Sequence, residues 1–363
     1  MSERLLKILI YTAGAICLYA FIAIRHPVLF NAVLLEKIKS EYWENTKYGE
    51  LYYFNFIRHF RQDNLPPSSI KYRFTEKHPE LKDADILLFG DSFFDFTRLK
   101  TFPEALGDTL NERTFYARMD RPLQLLAEEN YINSEEKILI FESAERYIPT
   151  RFTEPHRLDL IVDDRSPLRK DVAEVRDYIF LDNTESLYQT LLKRSYLTTG
   201  IFSLIATFKF DVFGYISNFT PKYSLDEKVP WLFYYDQVND EPGSFYYQYS
   251  QQEIDTYCDN IADLAIKLKQ HYNLSMVFMG IPSKYTLYHK LVNNDPYNDF
   301  LPRLQAGLDK RGIPYIPLYK DFINSKDVIF FGTDTHWNNK GQQIALDKTV
   351  QFINNFNNQN KSR

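Results

Sequence analysis

The chain has little cysteine, no surplus of positive charge and only one long apolar run. Two cysteines occur in 363 residues. Cys17 falls inside the first apolar segment and Cys258 stands alone, so no intramolecular disulfide is expected in the soluble part. Neither has metal-ligand neighbours at a useful spacing, and nothing else in the sequence implies a metal or a cofactor. The formal charge of −5 leaves no basic stripe to neutralise phosphates, which argues against a nucleic-acid partner. What is present is 44% hydrophobic residues, with 27 Tyr and 29 Phe, in a chain long enough for one large α/β domain with an insertion or for two modest domains. Core packing accounts for most of the aromatics, and some are candidates for a sugar-stacking or membrane-facing surface.

The one long apolar run, LLKILIYTAGAICLYAFIAI at 5–24, has about the length a helix needs to cross a bilayer, and Lys7 can snorkel to the interface. Residues 1–27 therefore read as a cytoplasmic end and transmembrane anchor. A cleaved signal peptide is the competing reading, but the run is long for one and meets Arg25-His26-Pro27 without a small-x-small site. Flanking charges do not orient it: Arg4 and Lys7 face Arg25, Lys37 and Lys39. Residues 28–67 read as a membrane-proximal helical linker. Tyr42, Trp43, Tyr48, Leu51, Tyr52, Phe56 and Phe60 fall mostly at helical steps, for a helix lying near the membrane or, preferably, packed on the body. Asn64-Leu65-Pro66-Pro67 breaks that pattern.

Beyond this boundary, strands are expected at 85–89, 114–117, 137–141, 274–279 and, briefly, 314–317. Helices are expected at 103–110, 122–132, 253–270, 297–310 and from 339 onward, with a frayed polar tail at 357–363. This alternation implies an α/β domain over 68–356: three layers, with a parallel sheet covered on both faces. Residues 150–250 interrupt the rhythm and read as an inserted subdomain. Its apolar run at 197–213 is too polar for a second span, and the insertion could cover the sheet, shape substrate access or dock a membrane partner.

Two short stretches carry the chemistry. Four apolar residues, Ile86 to Phe89, stop abruptly at Gly90-Asp91-Ser92, which puts Ser92 just past the carboxyl end of a central strand, where open α/β sheets bind ligands. A serine needs a base. Asp334-Thr335-His336-Trp337-Asn338 supplies one: an aspartate two residues before a histidine can hold its Nδ1 proton and free Nε2 to act on a hydroxyl. Each piece also has a bland reading, as a common turn tripeptide or as a loop capped onto a helix by Asn338 or Asn339. As a metal site, the second stretch has two plausible ligands and no obvious third. Their conjunction in one alternating unit favours catalysis.

With these motifs the sequence resembles the SGNH (GDSL) hydrolase superfamily over about 83–350. It is most similar to the membrane-anchored O-acyltransferases of the alginate O-acetyltransferase (AlgX/AlgJ-like) and DltD type. The resemblance rests on Gly90-Asp91-Ser92, on Asp334-Thr335-His336-Trp337 followed by Gly341, and on Ile281-Pro282-Ser283-Lys284-Tyr285 after the fourth strand. It departs from the alginate proteins in placing the serine before Asp-x-His, and from SGNH esterases in lacking the Gly-x-Asn block that supplies oxyanion donors. After the third strand it has Glu142-Ser143-Ala144-Glu145-Arg146, and the loop after the second, around Arg118, lacks the usual glycine.

The resemblance implies a catalytic triad of Ser92, His336 and Asp334. Ser92 N–H would be one oxyanion donor. Arg146, Arg118, Lys284, Asn338 and Trp337 are the further candidates for oxyanion or substrate contacts, the arginines competing with roles in ion pairs. Lys284 binds an anionic sugar or stabilises a loop. The implied activity is acyl transfer, of acetyl in the first instance, to a polysaccharide or cell-envelope polymer outside the cytoplasm, with a polytopic membrane-bound O-acyltransferase as partner. Two rivals stand beside it: a carbohydrate esterase or lipase using the same acyl-enzyme, and a catalytically inactive polysaccharide-binding scaffold.

Overall fold

The structure, a computed structural model, describes residues 48–62, 65–66, 79–96, 98–118, 121–156, 196–225 and 229–361, and scattered positions between 4 and 15. Most of the apolar run at 5–24, the linker residues 28–47 and residues 157–195 of the insertion lie outside this set. Among the described residues no helix is long and apolar enough to cross a membrane. The chain divides into two compact units, one of residues 1–45, 56–58 and 162–213 and a larger one of 46–55, 59–161 and 214–363.

In chain order the elements are β1 (Ile86–Phe89), α1 (Phe102–Leu110), β2 (Thr114–Ala117), α2 (Pro122–Glu128), β3 (Lys137–Ala144), α3 (Ile148–Phe152), α4 (Tyr196–Phe213), β4 (Lys222–Leu225) and β5 (Pro230–Phe233). There follow α5 (Gln251–Tyr272), β6 (Leu274–Ile281), α6 (Lys284–Tyr288), α7 (Phe300–Lys310), α8 (Leu318–Ile323) and α9 (Asn339–Lys361). The smaller unit contains α4; every other element here belongs to the larger one.

A four-stranded parallel sheet of order β2-β1-β3-β6 forms the centre of the larger unit. Its central strand β1 is apolar throughout and its neighbours are largely so, because both faces are covered. Side chains alternate strictly between two cores, as the period of two demands. Leu87, Phe89, Leu139, Phe141, Met276 and Phe278 pack with α2, α5 and α7, while Ile86, Leu88, Ile138, Ile140, Val277 and Met279 pack with α1, α8 and α9. The result is the expected three-layer sandwich. Its longest covering helix, α5, buries Ile254, Tyr257, Ile261, Leu264 and Leu268. Ser250 and Glu253 cap its start reciprocally, and left-handed Asn273 ends it.

Several elements differ from expectation for local reasons. The fifth strand shrinks to a single parallel bridge between Phe278 and Tyr315, because Pro314 and Pro317 flank it and cannot donate to a ladder. Strand β3 runs on to Ala144, carrying Glu142 and Ser143 into the sheet. Helix α2 stops early, before left-handed Asn130. Residues 48–60 are not one helix: positive φ at Gly49 (91°) and Phe56 (56°) bracket a short 3-10 turn, Glu50–Phe54. At the other end α9 stays helical to Lys361, since its Asn, Gln and Lys residues break nothing.

The 2-1-3 order reverses the chain's direction of travel between β1 and β3. The connection from β1 uses α1 on one face, and that from β2 uses α2 on the other. The carboxyl ends of β1 and β3 therefore open onto a crevice, the position where open α/β sheets bind ligands.

Candidate active site

The loop after β1 is held from three sides. A side chain at Gly90 would lie 2.4 Å from Glu142 Oε2 and 2.8 Å from Glu142 Cβ, so only glycine fits. The Asp91 amide donates to Glu142 Oε2 at 2.7 Å. The Asp91 carboxylate accepts from the amides of Phe93 (3.2 Å) and Ala144 (3.1 Å) and lies 3.4 Å from Arg151 Nη1. Tyr116 OH donates to the Asp91 carbonyl at 2.9 Å. Burial, with the Asp91 charge second, pushes the Glu142 carboxyl well above its ordinary range. Ser92 is thus presented half-buried at the crevice by a turn tied to both neighbouring strands.

The second loop is closed by an antiparallel bridge between Phe330 and Trp337, with Phe331 N donating to His336 O (3.1 Å) and Asn338 N to Ile329 O (2.9 Å). His336 is packed against Phe93 and stacked on Phe96, ring centroids 4.2 Å apart. Its Nε2 lies 2.7 Å from Ser92 Oγ and its Nδ1 lies 2.6 Å from Asp334 Oδ1. Asp334 is fully buried; its Oδ2 faces the Glu50 amide at 3.4 Å and Arg98 Nε at 3.7 Å. Burial would raise the Asp334 carboxyl, but the hydrogen bond and charge of His336, with the Arg98 charge, take it below its usual value. Burial disfavours the His336 cation, yet Asp334 and then Glu50 outweigh it and raise the imidazole, with Arg146 opposing. A serine with a base on its hydroxyl and a carboxylate behind the base is the arrangement that nucleophilic acyl chemistry requires.

The other candidates divide. Lys284 is fully buried, and its ammonium donates to three carbonyls, Asp334 O (2.7 Å), Gly332 O (2.8 Å) and Phe331 O (3.3 Å). Its donors are spent, so of its two expected roles the structure gives it the loop and not the sugar. Burial pushes it down to about 7, with Asp334 and Glu50 pulling the other way. Glu145 sets its position: this buried carboxylate accepts from Ser283 N (2.7 Å), Thr286 Oγ1 (2.8 Å) and Tyr297 OH (2.6 Å), fixing the start of α6.

Trp337 is wholly buried against Phe93 and Phe102, which makes it core and removes it from substrate contact. Asn338 caps α9, its Oδ1 accepting from Lys340 N (2.9 Å) and Gly341 N (3.3 Å) while its amide donates to Val328 O (2.8 Å). Arg118 is half-exposed and lies 3.5 Å from Asp95, an ion pair at the surface. Arg146 is buried, lies over the Tyr147 ring at 4.6 Å, and has no carboxylate within ion-pair distance among the described residues. Asp91, Glu50 and His336 are all within its electrostatic reach.

Sequence reading missed Glu50. Its Oε1 accepts from Thr335 N (3.2 Å) and from the Thr335 hydroxyl, and lies 3.8 Å from His336 Nδ1. Glu50, Asp334 and His336 offer ligand atoms within 4.8 Å of one another, but the hydrogen bonds just given already engage those atoms. Arg98, Glu142 and Glu145 were also missed; only the run of acidic residues after β3 hinted at buried carboxylates. A cavity of about 630 Å³, lined by Pro149, Thr153, Glu241, Gln252, Thr256 and Tyr257 among others, contains none of the triad.

Residues 228–362 match the family model of the SGNH hydrolase-like domain of the acetyltransferase AlgX. The match contains Lys284, Asp334 and His336 and is the resemblance read from those residues; Ser92 lies outside it. No curated protein matches the chain.

Proposed function

We propose that the protein is a membrane-anchored, extracytoplasmic O-acyltransferase that places an acyl group, acetyl in the first instance, on a hydroxyl of a polysaccharide or cell-envelope polymer. The observation that carries this reading is the chain of contacts from Ser92 Oγ through His336 to Asp334, at 2.7 and 2.6 Å, at the sheet's switch point. The similarity of residues 228–362 to an acetyltransferase domain supports acyl chemistry as its use.

In this mechanism Ser92 Oγ attacks the carbonyl carbon of an acyl donor while its proton passes to His336 Nε2. The tetrahedral oxyanion is met by the Ser92 amide, with the buried Arg146 guanidinium, which is within electrostatic reach of His336, as the second donor. The donor's leaving group departs with the proton from Nε2, which leaves Ser92 acylated. A sugar hydroxyl then loses its proton to Nε2, attacks the acyl carbon and restores the serine. Asp334 holds the imidazole with Nδ1 protonated and stabilises the cation formed in each step. A polytopic membrane-bound O-acyltransferase supplying the donor across the bilayer is the partner this reading calls for.

The test is mass spectrometry of the intact full-length protein after incubation with p-nitrophenyl acetate. An acetyl group on Ser92, absent in Ser92→Ala and His336→Ala, is the expected result. Adding oligosaccharide acceptors then separates transfer from hydrolysis: acetylated sugar supports the transferase, and free acetate alone points to the esterase. A folded protein that takes up no acetyl refutes the catalytic reading and favours the scaffold.

A further inference from the structure

The loop carrying Asp334 and His336 is strapped down by residues from the other end of the chain. Leu51 N donates to Thr333 O at 3.0 Å, Thr333 Oγ1 to Tyr48 O at 2.6 Å, and Glu50 N faces Asp334 Oδ2 at 3.4 Å. The Glu50 carboxylate returns the tie by accepting from both donors of Thr335. Gly49, at φ 91°, lies so close that a Cβ there would stand 2.1 Å from Thr333 O, so contact is made backbone to backbone. Asn55, itself buried, anchors the far end of the strap by donating to Thr220 Oγ1 (2.6 Å) and accepting from Ser217 N (3.0 Å).

We propose that Glu50 is a positioning residue of the acyl-transfer site and that residues 48–55 are an integral part of that site, an assignment that rests on the reading above. The imidazole Nδ1 faces two carboxylates, Asp334 in hydrogen bond at 2.6 Å and Glu50 at 3.8 Å. Glu50 cannot take the Nδ1 proton at that distance, so its action is twofold: it fixes the main chain at Thr335, next to the histidine, and its charge favours the imidazolium that forms whenever Ser92 or an acceptor gives up a proton. Among the described residues, Arg146 disfavours the cation and Asp334 favours it, Arg98 acts on Asp334, and Lys284 interacts with both Asp334 and Glu50.

The experiment uses the full-length protein, its Glu50→Gln variant, which can still accept from Thr335 but has lost the charge, and Glu50→Ala. The His336 imidazole is titrated by nitrogen NMR, with assignment by loss of its signal in His336→Gln, and the rate of Ser92 acetylation by p-nitrophenyl acetate is measured against pH. In Glu50→Gln both the His336 midpoint and the acid limb of the rate should move to lower pH. The plateau rate should fall at least about fivefold, the size expected of a charge near 4 Å even with the full screening of bulk water. Glu50→Ala should lose more, the excess measuring the tie to Thr335. If Glu50→Gln reproduces the parent midpoint and limb while only Glu50→Ala loses thermal stability, Glu50 is a structural tie and the proposal is overturned. If the parent never acetylates, the functional reading fails by itself, and a moved midpoint in Glu50→Gln still establishes the action of Glu50 on His336.

Discussion

Replacing Lys284 by methionine removes the clamp under the Asp334–His336 loop while keeping most of its volume. Among the described residues the ammonium is the sole donor to Phe331 O and Asp334 O, whereas Gly332 O also accepts from Leu232 N at 2.9 Å. Two buried carbonyls are therefore orphaned, at about 1–3 kcal/mol each. Relief from burying an ammonium offsets part of this, leaving an expected loss of about 2–4 kcal/mol. The acetylation rate should fall as well, because the loop whose carbonyls are released carries the base. The lysine also leaves a signature in pH. Its folded-state value of about 7 lies below its ordinary 10.5, so between these values the unfolded chain holds a proton that the folded chain lacks. Parent stability should therefore gain from this group as pH rises through that window, and the variant should lack that gain. Urea denaturation of both proteins across the window, with acetylation rates alongside, reads all three effects. A stability loss under about 0.5 kcal/mol with an unchanged rate would refute the clamp.

Asp334→Asn should cost about three to four orders of magnitude in the acetylation rate, because the amide favours the wrong imidazole tautomer; a drop under tenfold would mean that the aspartate does not orient the base. Since Asp334 and Glu50 raise His336 above its ordinary 6.5, the rate in the parent should climb with pH only above that value, as the base becomes neutral. The same shift stabilises the fold fully below 6.5, and this contribution is lost as pH rises through the raised value, which a pH series of melting temperatures can check. Trp337→Ala should lose about 3–5 kcal/mol of stability, as expected for a buried indole; a variant of parental stability with weakened substrate binding would restore the tryptophan to a substrate role.

The sheet, its covering helices, Ser92 and the Asp334–His336 pair were legible because each is a local signal: an apolar run cut by glycine, a 3.6-residue stripe, a carboxylate two residues from a histidine. Glu50 was not legible. It is 285 residues from Thr335, and the aromatic stripe around it fits a helix that the positive φ of Phe56, a residue with no turn signature, prevents. Glu142 and Glu145 were hidden for a different reason, since acidic residues read as surface until a buried amide or hydroxyl is seen to face them. Lys284 was placed correctly at the ligand edge of the sheet, but whether it points to solvent or into a ring of carbonyls is a property of the loop it holds. In Trp337 and Asn338 a motif neighbour was mistaken for a site residue, because a tight loop needs a core anchor and a helix cap as much as it needs its histidine.

The strap also fixes when the site can exist during synthesis. Tyr48 leaves the ribosome 285 residues ahead of Thr333, so the nascent chain carries one half of the join while all of the intervening sequence is made. Ser92 likewise waits 244 residues for its base. The entropy of closing so long a loop grows only slowly with length, so the join is not expensive to make, but it cannot be made early. A chain released before residue 336 has its serine without the histidine that faces it, which confines the Ser92–His336 contact to chains synthesised past that residue.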